Sequence, residues 1–257
     1  MDRPDRLSAL VSRFALDVQP TPCPRANLVV VEHRDGPVRL RVLFAPSGDA
    51  VSASRAALCE GARTVFSARA SLGGTGNPLT RALPPLIELP IDADAEMQSL
   101  VNLLVTESRE GRCGAGSVVN RLGEVLLVRL LRALLSAGGT DTGLLAGLAD
   151  PRLCHAIVAI HERPGHAWRI DDLAAEAGLS TSRFAARFVE LVGQSPMSYL
   201  RHWRMVLARQ DIERGDRVQA VAGRYGYAST EALSRAFRKH YGQNPLAVRA
   251  APQQVSV

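Results

Sequence analysis

The sequence predicts an α+β chain, in which a small β-rich region and several helices precede an all-α domain of two helix-turn-helix units joined by a long helix. Three observations support this prediction. The same helix-turn-helix pattern occurs twice between residues 170 and 245. Short β-branched or alternating stretches lie before residue 90, and longer stretches with helical spacing follow them. With 257 residues the chain is long enough for two domains.

The first ninety residues predict one short helix and three strands. Residues 6–16 place apolar side chains on one helical face. Residues 35–37, Asp-Gly-Pro, are typical of a turn and would join the first two strands as a hairpin. The glycine-rich stretch 73–78 lacks the lysine of a phosphate-binding loop, so we interpret it as a connection. The predicted strands cover residues 27–32, 38–45 and 64–72.

Two long helices are predicted after Pro90. Asp92 or Asp94 can cap a first helix that ends near residue 109, and a second helix covers residues 117–135. The apolar residues of the second helix lie on more than one face. This pattern fits packing within one domain, and it equally fits a contact with a second subunit.

The repeated pattern contains an apolar helical stripe, a glycine turn, a capping serine and a second helix. Both copies then close with glycine, two polar residues and proline, at residues 193–196 and 242–245. A left-handed glycine ends one helix there and proline suits the first position of the next. The turn glycines and capping serines of the two copies are Gly178, Ser180, Gly226 and Ser229.

Between the copies, a helix from Pro196 to about Arg214 would measure about 28 Å at 1.5 Å per residue. Such a rod can hold two helices about one DNA turn apart, about 34 Å. A short helix, a glycine turn and a second helix at a steep angle form the unit that lays its second helix in a DNA major groove. We therefore predict recognition helices at about 181–191 and 230–241.

Positive charge is concentrated with the repeats. Residues 150–257 carry fifteen Lys and Arg against ten Asp and Glu, whereas residues 1–149 carry sixteen against fifteen. Lys239 is the only lysine. Arginine suits bidentate contacts with phosphate and guanine, so the charge favours a nucleic-acid partner. An arginine excess that merely reflects the composition of the genome remains the alternative.

Several other classes of protein lack their sequence signatures here. No uninterrupted apolar run approaches eighteen residues, and the N-terminus lacks the basic start and apolar core of a secretion signal, so we predict a cytoplasmic protein without a membrane span. GxSxG, HExxH and a lysine-bearing phosphate loop are missing, so we predict no enzyme activity, catalytic residue or cofactor site.

The cysteines and histidines predict no metal site. The four cysteines at positions 23, 59, 113 and 154 show no paired spacing. Cys154, His155, His161 and His166 are close in sequence, but His161 falls on the opposite side of a helix from the position where a partner of His155 would lie. A redox sensor is the alternative function that these residues leave open, with Cys23 and Cys59 as exposed thiols whose oxidation alters DNA binding.

Residues 150–249 resemble the DNA-binding domain of the AraC/XylS family of bacterial transcription regulators. That resemblance rests on motifs spread over about a hundred residues. They are Leu173-Ala174-x-x-Ala177-Gly178-Leu179-Ser180, Phe184-Ala185-x-x-Phe188, Gly193-x-x-Pro196-x-x-Tyr199-Leu200, Arg204-Met205, Val221-Ala222, Tyr225-Gly226-Tyr227, Phe237-Arg238 and Gly242-x-x-Pro245.

The region from Gly76 to Leu135 is similar to the distal part of a cupin-type sensor domain found in one branch of that family. The first seventy residues are short for a complete cupin barrel, and His33 stands alone where a metal-binding cupin has a histidine cluster. The resemblance therefore implies an abbreviated cupin-like sensor and dimerisation domain at 1–135, a linker at 136–149 and a DNA-binding domain at 150–257.

The resemblance also implies partners and DNA contacts. The partners would be operator or promoter DNA, a second copy bound through residues 95–135, a small-molecule effector and, for an activator, RNA polymerase. A pure interaction module that binds no DNA is the competing class. The implied DNA-contacting residues are Ser182, Arg183, Ala185, Ala186 and Arg187 in the first copy and Thr230, Glu231, Ser234, Arg235, Arg238 and Lys239 in the second.

Overall fold

The computed structural model describes residues 5–14, 16–33, 39–47, 61–73, 78–138 and 141–249. The chain divides into two compact units. One unit is Leu10–Ala149, and the other combines the residues up to Ala9 with those from Asp150 onward. The predicted domain boundaries at 135 and 150 stay a prediction.

An antiparallel sheet forms the centre of the N-terminal unit. Its described strands lie in the order β1-β4-β2-β3-β5. β2 is central and wholly buried from Leu28 to Val31, with Val30 opposite Val42 on one side and Phe66 on the other. The predicted β2–β3 hairpin is confirmed, while its turn at 35–37 lies outside the described residues. The strands are β1 (Asp17–Pro20), β2 (Leu28–His33), β3 (Leu40–Phe44), β4 (Ala62–Ser71) and β5 (Ile87–Pro90).

The two edge strands were not predicted. β1 and β5 are each four residues long and each ends in proline, at Pro20 and Pro90. Proline removes a backbone donor, so the sequence pattern there indicates a break rather than a strand. At a sheet edge the missing donor faces away from the ladder, and proline is tolerated.

Helices complete the N-terminal unit. Asp94 caps α3, with its Oδ1 accepting from the Met97 amide at 2.9 Å, whereas Asp92 accepts from the amides of Arg39 and Leu40. α4 packs on α3 and approaches β1 so closely that a Cβ on Gly123 would lie 2.5 Å from Val18 Cβ. The helices that begin before Asp150 are α1 (Ser8–Arg13), α2 (Pro78–Ala82), α3 (Ala95–Glu110), α4 (Ala115–Ser136) and α5 (Leu144–Ala149).

Part of the predicted linker is a buried helix. Within residues 136–149, α5 has the sequence LLAGLA, and Leu144 through Leu148 are buried. α5 packs against α2 and α4 of its own unit. This helix was not predicted, because six apolar residues are too few to show a helical period, and the linker itself stays a prediction.

The C-terminal unit is built from helices throughout its described residues. α9, the long connecting helix, has eighteen residues and measures about 27 Å. None of the helices in the described residues is long and apolar enough to cross a membrane. The helices of this unit are α6 (Leu153–Glu162), α7 (Ile170–Glu176), α8 (Thr181–Val192), α9 (Pro196–Glu213), α10 (Val218–Arg224), α11 (Thr230–Tyr241) and α12 (Pro245–Arg249).

Candidate nucleic-acid interface

The C-terminal half of the chain, from Asp150 onward, contains two helix-turn-helix units. α7 and α8 form the first, around a turn at Gly178 with φ of +61°. α10 and α11 form the second, around Gly226 with φ of +72°. A left-handed backbone strains residues with a Cβ, so glycine is needed at both turns. The helices predicted at about 181–191 and 230–241 are confirmed as α8 and α11, and their role in recognition stays a prediction.

Each recognition helix packs on its own unit through buried side chains one turn apart. Phe184 and Phe188 anchor α8, with ring centroids 5.5 Å apart, and Leu233 and Phe237 anchor α11. All four side chains are fully buried. This packing leaves the opposite face of each helix to solvent.

One of the two predicted capping serines forms a capping hydrogen bond. Ser229 Oγ accepts from the Ala232 amide at 3.2 Å and caps α11. Ser180 occupies the N-cap position of α8 as predicted, but its side chain accepts no capping hydrogen bond. Thr181 instead donates its hydroxyl to Asp171 at 2.7 Å, which ties the start of α8 to α7.

A close backbone junction joins the two units. A Cβ on Gly226 would lie 2.7 Å from the Gly165 carbonyl oxygen, and a Cβ on Gly165 would overlap the Arg224 carbonyl. Arg204 of α9 secures this junction by donating to the carbonyls of Pro164, at 2.6 Å, and His166, at 2.7 Å. The turn of the second unit is thereby fixed against the loop that precedes the first.

Buried carboxylates anchor each unit to the rest of the domain. Asp211 of α9 accepts from the Tyr225 hydroxyl at 2.6 Å and from Arg224, which also donates to Asp216. The hydrogen bonds to Asp216 and Asp211 raise the pKa of Arg224. Asp150 plays the matching part beside the first unit. Its Oδ1 accepts from the amides of Arg152 and Leu153 at the start of α6, and its Oδ2 accepts from Arg187.

The Asp150–Arg187 pair restricts one predicted DNA-contacting residue. Arg187 donates through Nε at 2.8 Å and Nη2 at 2.5 Å to a carboxylate whose side chain is only 4% exposed. Burial by itself would raise the pKa of Asp150, but the Leu153 and Arg152 amides and the Arg187 guanidinium lower it on balance. Arg187 therefore has a structural partner within its own domain.

The remaining predicted residues of α8 lie mostly on its solvent side. Ser182, Arg183 and Ala186 are exposed, and Ala185 is half-buried. Arg183 forms no hydrogen bond or ion pair with the described part of the chain. It is thus the cation of α8 that is available to a ligand.

α11 presents a more polar surface. Glu231, Arg235, Arg238 and Lys239 are exposed, and Thr230 and Ser234 are half-buried. Arg238 donates to Asn244 Oδ1 at 2.5 and 2.9 Å, whereas Arg235 and Lys239 make no hydrogen bond or ion pair to any described residue. The Ser229 hydroxyl is the main cause of a lowered pKa at Glu231.

A buried polar pair stands behind the first recognition helix. His161 of α6 lies 2.5 Å from the Tyr199 hydroxyl of α9, and the Tyr199 ring packs edge-on against Phe188. Burial lowers the pKa of His161 to about 3 and raises that of Tyr199. His161 is therefore a neutral packing residue, and no group of three or more metal-binding side chains occurs among the described residues.

One of the two predicted redox thiols, Cys23, lies within the described residues. Cys23 is half-buried against the cluster of Ala26, Val29, Val31 and Leu43, and its Sγ lies 3.9 Å from Thr64 Oγ1. Cys59 lies outside the described residues.

A pair of helix-turn-helix units on one connecting helix, each with an exposed polar face, defines a tandem helix-turn-helix protein. The family comparisons agree with this class. Residues 173–251 match a helix-turn-helix domain family and residues 14–136 match a cupin family. The chain therefore carries a helix-turn-helix domain of the AraC type and a cupin domain. The cupin match begins at residue 14 and therefore includes the strands of the sheet. From the sequence we expected this similarity only from residue 76 onward.

Relatives with assigned names support the family. The chain is 36% identical over 175 residues to a putative AraC-like transcription regulator of Streptomyces antibioticus, covering 66% of this chain and 57% of that protein. It is 34% identical over 170 residues to the regulator MtrA of Neisseria gonorrhoeae, covering 65% and 56%. The chain thus spans little more than half the length of these relatives. The relatives lend no support to the redox alternative.

Solved structures of similar proteins include the DNA-binding domain of AdpA in complex with a target DNA. That domain is 34% identical, with a TM-score of 0.37, and the match covers 38% of this chain and 90% of that one. ToxT from Vibrio cholerae O395 is 10% identical, with a TM-score of 0.42, and the match covers 93% and 99%.

Proposed function

We propose that this protein is a sequence-specific DNA-binding transcription regulator of the cytoplasm, with α8 and α11 in successive major grooves. The observation that carries the proposal is the pair of helices whose solvent faces hold cations that make no hydrogen bond or ion pair with the described residues. These cations are Arg183 on α8 and Arg235 with Lys239 on α11. Guanidinium groups in a major groove read guanine, and lysine contacts phosphate. Similarity to transcription regulators of the AraC type supports the same function.

The connecting helix supports the spacing. α9 measures about 27 Å, and the Arg204 junction fixes the second turn to the loop before the first unit. Two rigidly connected readers favour half-sites about one DNA turn apart. The residues proposed to contact DNA are Ser182, Arg183, Ala185, Ala186, Arg187, Thr230, Glu231, Ser234, Arg235, Arg238 and Lys239.

We further propose that residues 1–135 receive the signal and that residues 95–135 form a homodimer. Leu103 on α3 and Val118 and Val125 on α4 are 47%, 39% and 49% exposed, which is unusual for large apolar side chains in neighbouring helices. Val118 and Val125 are seven residues apart, so they lie on one helical face. Analytical ultracentrifugation of a Val125→Asp variant tests this contact. The wild-type protein is expected to sediment as a dimer and the variant as a monomer, and a variant that remains a dimer would contradict the proposed contact.

A small-molecule effector has an available cleft in the N-terminal unit. A cleft of about 340 Å³ lies beside β4, lined by Pro20, Pro22, Thr64, Phe66 and Ser108 among others. Prolines and a phenyl ring next to hydroxyl groups suit a small ligand with an apolar body and a few polar atoms.

The decisive experiment compares DNA from upstream of the protein's own gene with random DNA by fluorescence anisotropy over a salt series. The expected result is tighter binding to the upstream DNA, with an affinity that falls steeply as salt rises. If the protein binds both DNAs equally, the upstream DNA does not contain its operator or the protein is not sequence-specific. Selection of bound fragments from the whole genome then distinguishes these two explanations. Absence of any salt-dependent binding would support the interaction-module alternative instead.

A further inference from the structure

A basic cleft of about 300 Å³ lies in the C-terminal unit, where α9 meets α11. α9 supplies three of its polar lining residues and α11 supplies two, while the closing tetrapeptide of the first repeat and the turn before α11 supply one each. These residues are Ser198, Arg201, His202, Lys239, His240, Gln194 and Tyr227. The base-reading residues of α8 and Arg235 of α11 are not part of this lining.

The chemistry of the cleft suits an anion with several oxygen atoms. Arg201 and Lys239 are exposed, and neither forms a hydrogen bond or ion pair with the described residues. No aspartate or glutamate belongs to the described lining, so these charges are not neutralised within the cleft. A guanidinium and an ammonium beside amide, hydroxyl and imidazole groups offer the donors that a phosphate group accepts from.

The two imidazoles are held in place by ring packing. His202 and His240 pack edge to face, with ring centroids 4.8 Å apart, and His240 also packs edge-on against Tyr241 at 4.5 Å. His202 belongs to α9 and His240 to α11, so this contact joins the two walls. A direct contact between the two helices therefore forms part of the cleft.

The cleft lies between the two proposed readers. Gln194 follows the end of α8 by two residues, and Lys239 and His240 lie in the last turn of α11. DNA that enters both readers must pass its sugar-phosphate backbone across the space between successive major grooves. We propose that this cleft receives a backbone phosphate between the two half-sites, an inference that rests on the proposed function. Such a contact fixes the register of both readers on the duplex and carries no sequence information itself.

The test uses the full chain and the duplex that it prefers. Arg201→Ala, Lys239→Ala and the double variant are compared with Arg214→Ala, which removes the same charge about 20 Å further along the connecting helix. Each cleft substitution is expected to reduce the slope of log affinity against log salt by about 1, with similar losses on preferred and random DNA. Arg214→Ala is expected to leave the slope unchanged.

Neutral methylphosphonate linkages then locate the phosphate. Placed singly along the duplex, they are expected to weaken wild-type binding at one or two positions between the half-sites and to cause no further loss in the double variant. An unchanged salt slope in the double variant, with wild-type DNA binding intact, would overturn the cleft proposal and leave the regulator proposal standing. If the wild-type protein shows no salt-dependent binding to DNA, the cleft proposal and the regulator proposal are both overturned.

Inorganic phosphate distinguishes a free anion from a DNA phosphate. It is titrated against the wild-type protein without DNA, while the imidazole signals of His202 and His240 are followed by NMR. If millimolar phosphate shifts these signals and the double variant keeps the wild-type salt slope on DNA, the cleft binds a free anion and the proposal is overturned. If phosphate and the preferred duplex shift the same signals, the proposal is supported.

Discussion

The two helix-turn-helix units have the same backbone plan and different solvent faces. Their closing tetrapeptides are forty-nine residues apart, and the same offset pairs Ala186 with Arg235, Val189 with Arg238 and Glu190 with Lys239. α11 therefore presents cations where α8 presents small apolar side chains and an acid. The buried positions do not differ in this way, since Phe184 pairs with Leu233 and Phe188 with Phe237.

The two copies of the repeat share buried apolar side chains, which pack the recognition helices, whereas their exposed side chains differ in charge and polarity. α8 also has one cation withdrawn, because Arg187 is bound to Asp150, while its counterpart in α11 is Ala236. We infer that the second unit reads bases mainly by hydrogen bonds. The first unit has Arg183 and an apolar strip for the same task.

The largest expected difference concerns acid stability. Tyr199, which pairs with buried His161, corresponds by the repeat offset to Val248, so the second helix-turn-helix unit has no matching polar pair at this position. The folded pKa of His161, about 3, lies below its ordinary value of 6.5, so the stability is intact above pH 6.5 and is lost as the pH falls. At about 1.4 kcal/mol per pH unit, acidification from pH 6.5 to 4.5 costs about 3 kcal/mol.

Urea unfolding followed by tryptophan fluorescence checks this expectation, because Trp168 and Trp203 are the two tryptophans of the chain and both lie in the C-terminal unit. His161→Gln removes the titrating group and keeps a hydrogen-bonding side chain beside Tyr199. The variant is expected to lose less stability between pH 6.5 and 4.5. A pH dependence equal to that of the wild-type protein would show that other groups control acid unfolding.

The second effect concerns the anchor of the second unit. Asp211→Ala leaves the buried Tyr225 hydroxyl without its acceptor and removes one carboxylate from Arg224. We expect a loss of about 2–3 kcal/mol in the free energy of unfolding, measured by the same fluorescence signal. Asp216→Ala is the matched control, since Asp216 is the exposed partner of Arg224, and its expected cost is within about 0.5 kcal/mol. Equal costs would show that the buried carboxylate adds nothing.

Much of the C-terminal fold was predictable from the sequence because local signals agree there. Glycine turns, closing prolines and apolar spacing located both recognition helices to within a residue at the ends. In the N-terminal unit the local signals conflict with the tertiary result. Pro20 and Pro90 indicate breaks, yet pairing with β4 and β3 makes their segments edge strands.

The proposed interface divides in the same way. Exposure of Arg235 and Lys239 follows from helical period alone, since Leu233 and Phe237 fix which face is buried. The engagement of Arg187 does not follow from it. Its partner Asp150 is thirty-seven residues earlier, at a position whose sequence signal is a domain boundary, so no local pattern links the two residues.

The third prediction tests base reading by α11. Arg235→Ala is expected to weaken binding to preferred DNA by about 1–3 kcal/mol and to leave random DNA nearly unaffected, because the side chain makes no hydrogen bond or ion pair within the described chain and is available to guanine. Arg187→Ala, its comparison in the first unit, is expected to cost less than about 1 kcal/mol in DNA affinity. Anisotropy titrations measure both, and equal losses on preferred and random DNA would refute base reading by Arg235.

The smallest expected effect distinguishes the two faces most directly. Ser182, Ala185, Ala186 and Val189 follow the spacing of one helical face, and Val189 is 48% exposed despite its apolar side chain. Apolar side chains read thymine through its methyl group. Replacing thymine by uracil in the first half-site removes only that methyl. Each replacement at a contacted thymine is therefore expected to weaken binding by about 0.8 kcal/mol, the value of one buried methylene.

Uracil in the second half-site is expected to leave the affinity unchanged. A Val189→Ala variant is expected to lose less affinity on uracil DNA than the wild-type protein does. If uracil weakens binding equally in both half-sites, the two units do not differ in how they read DNA.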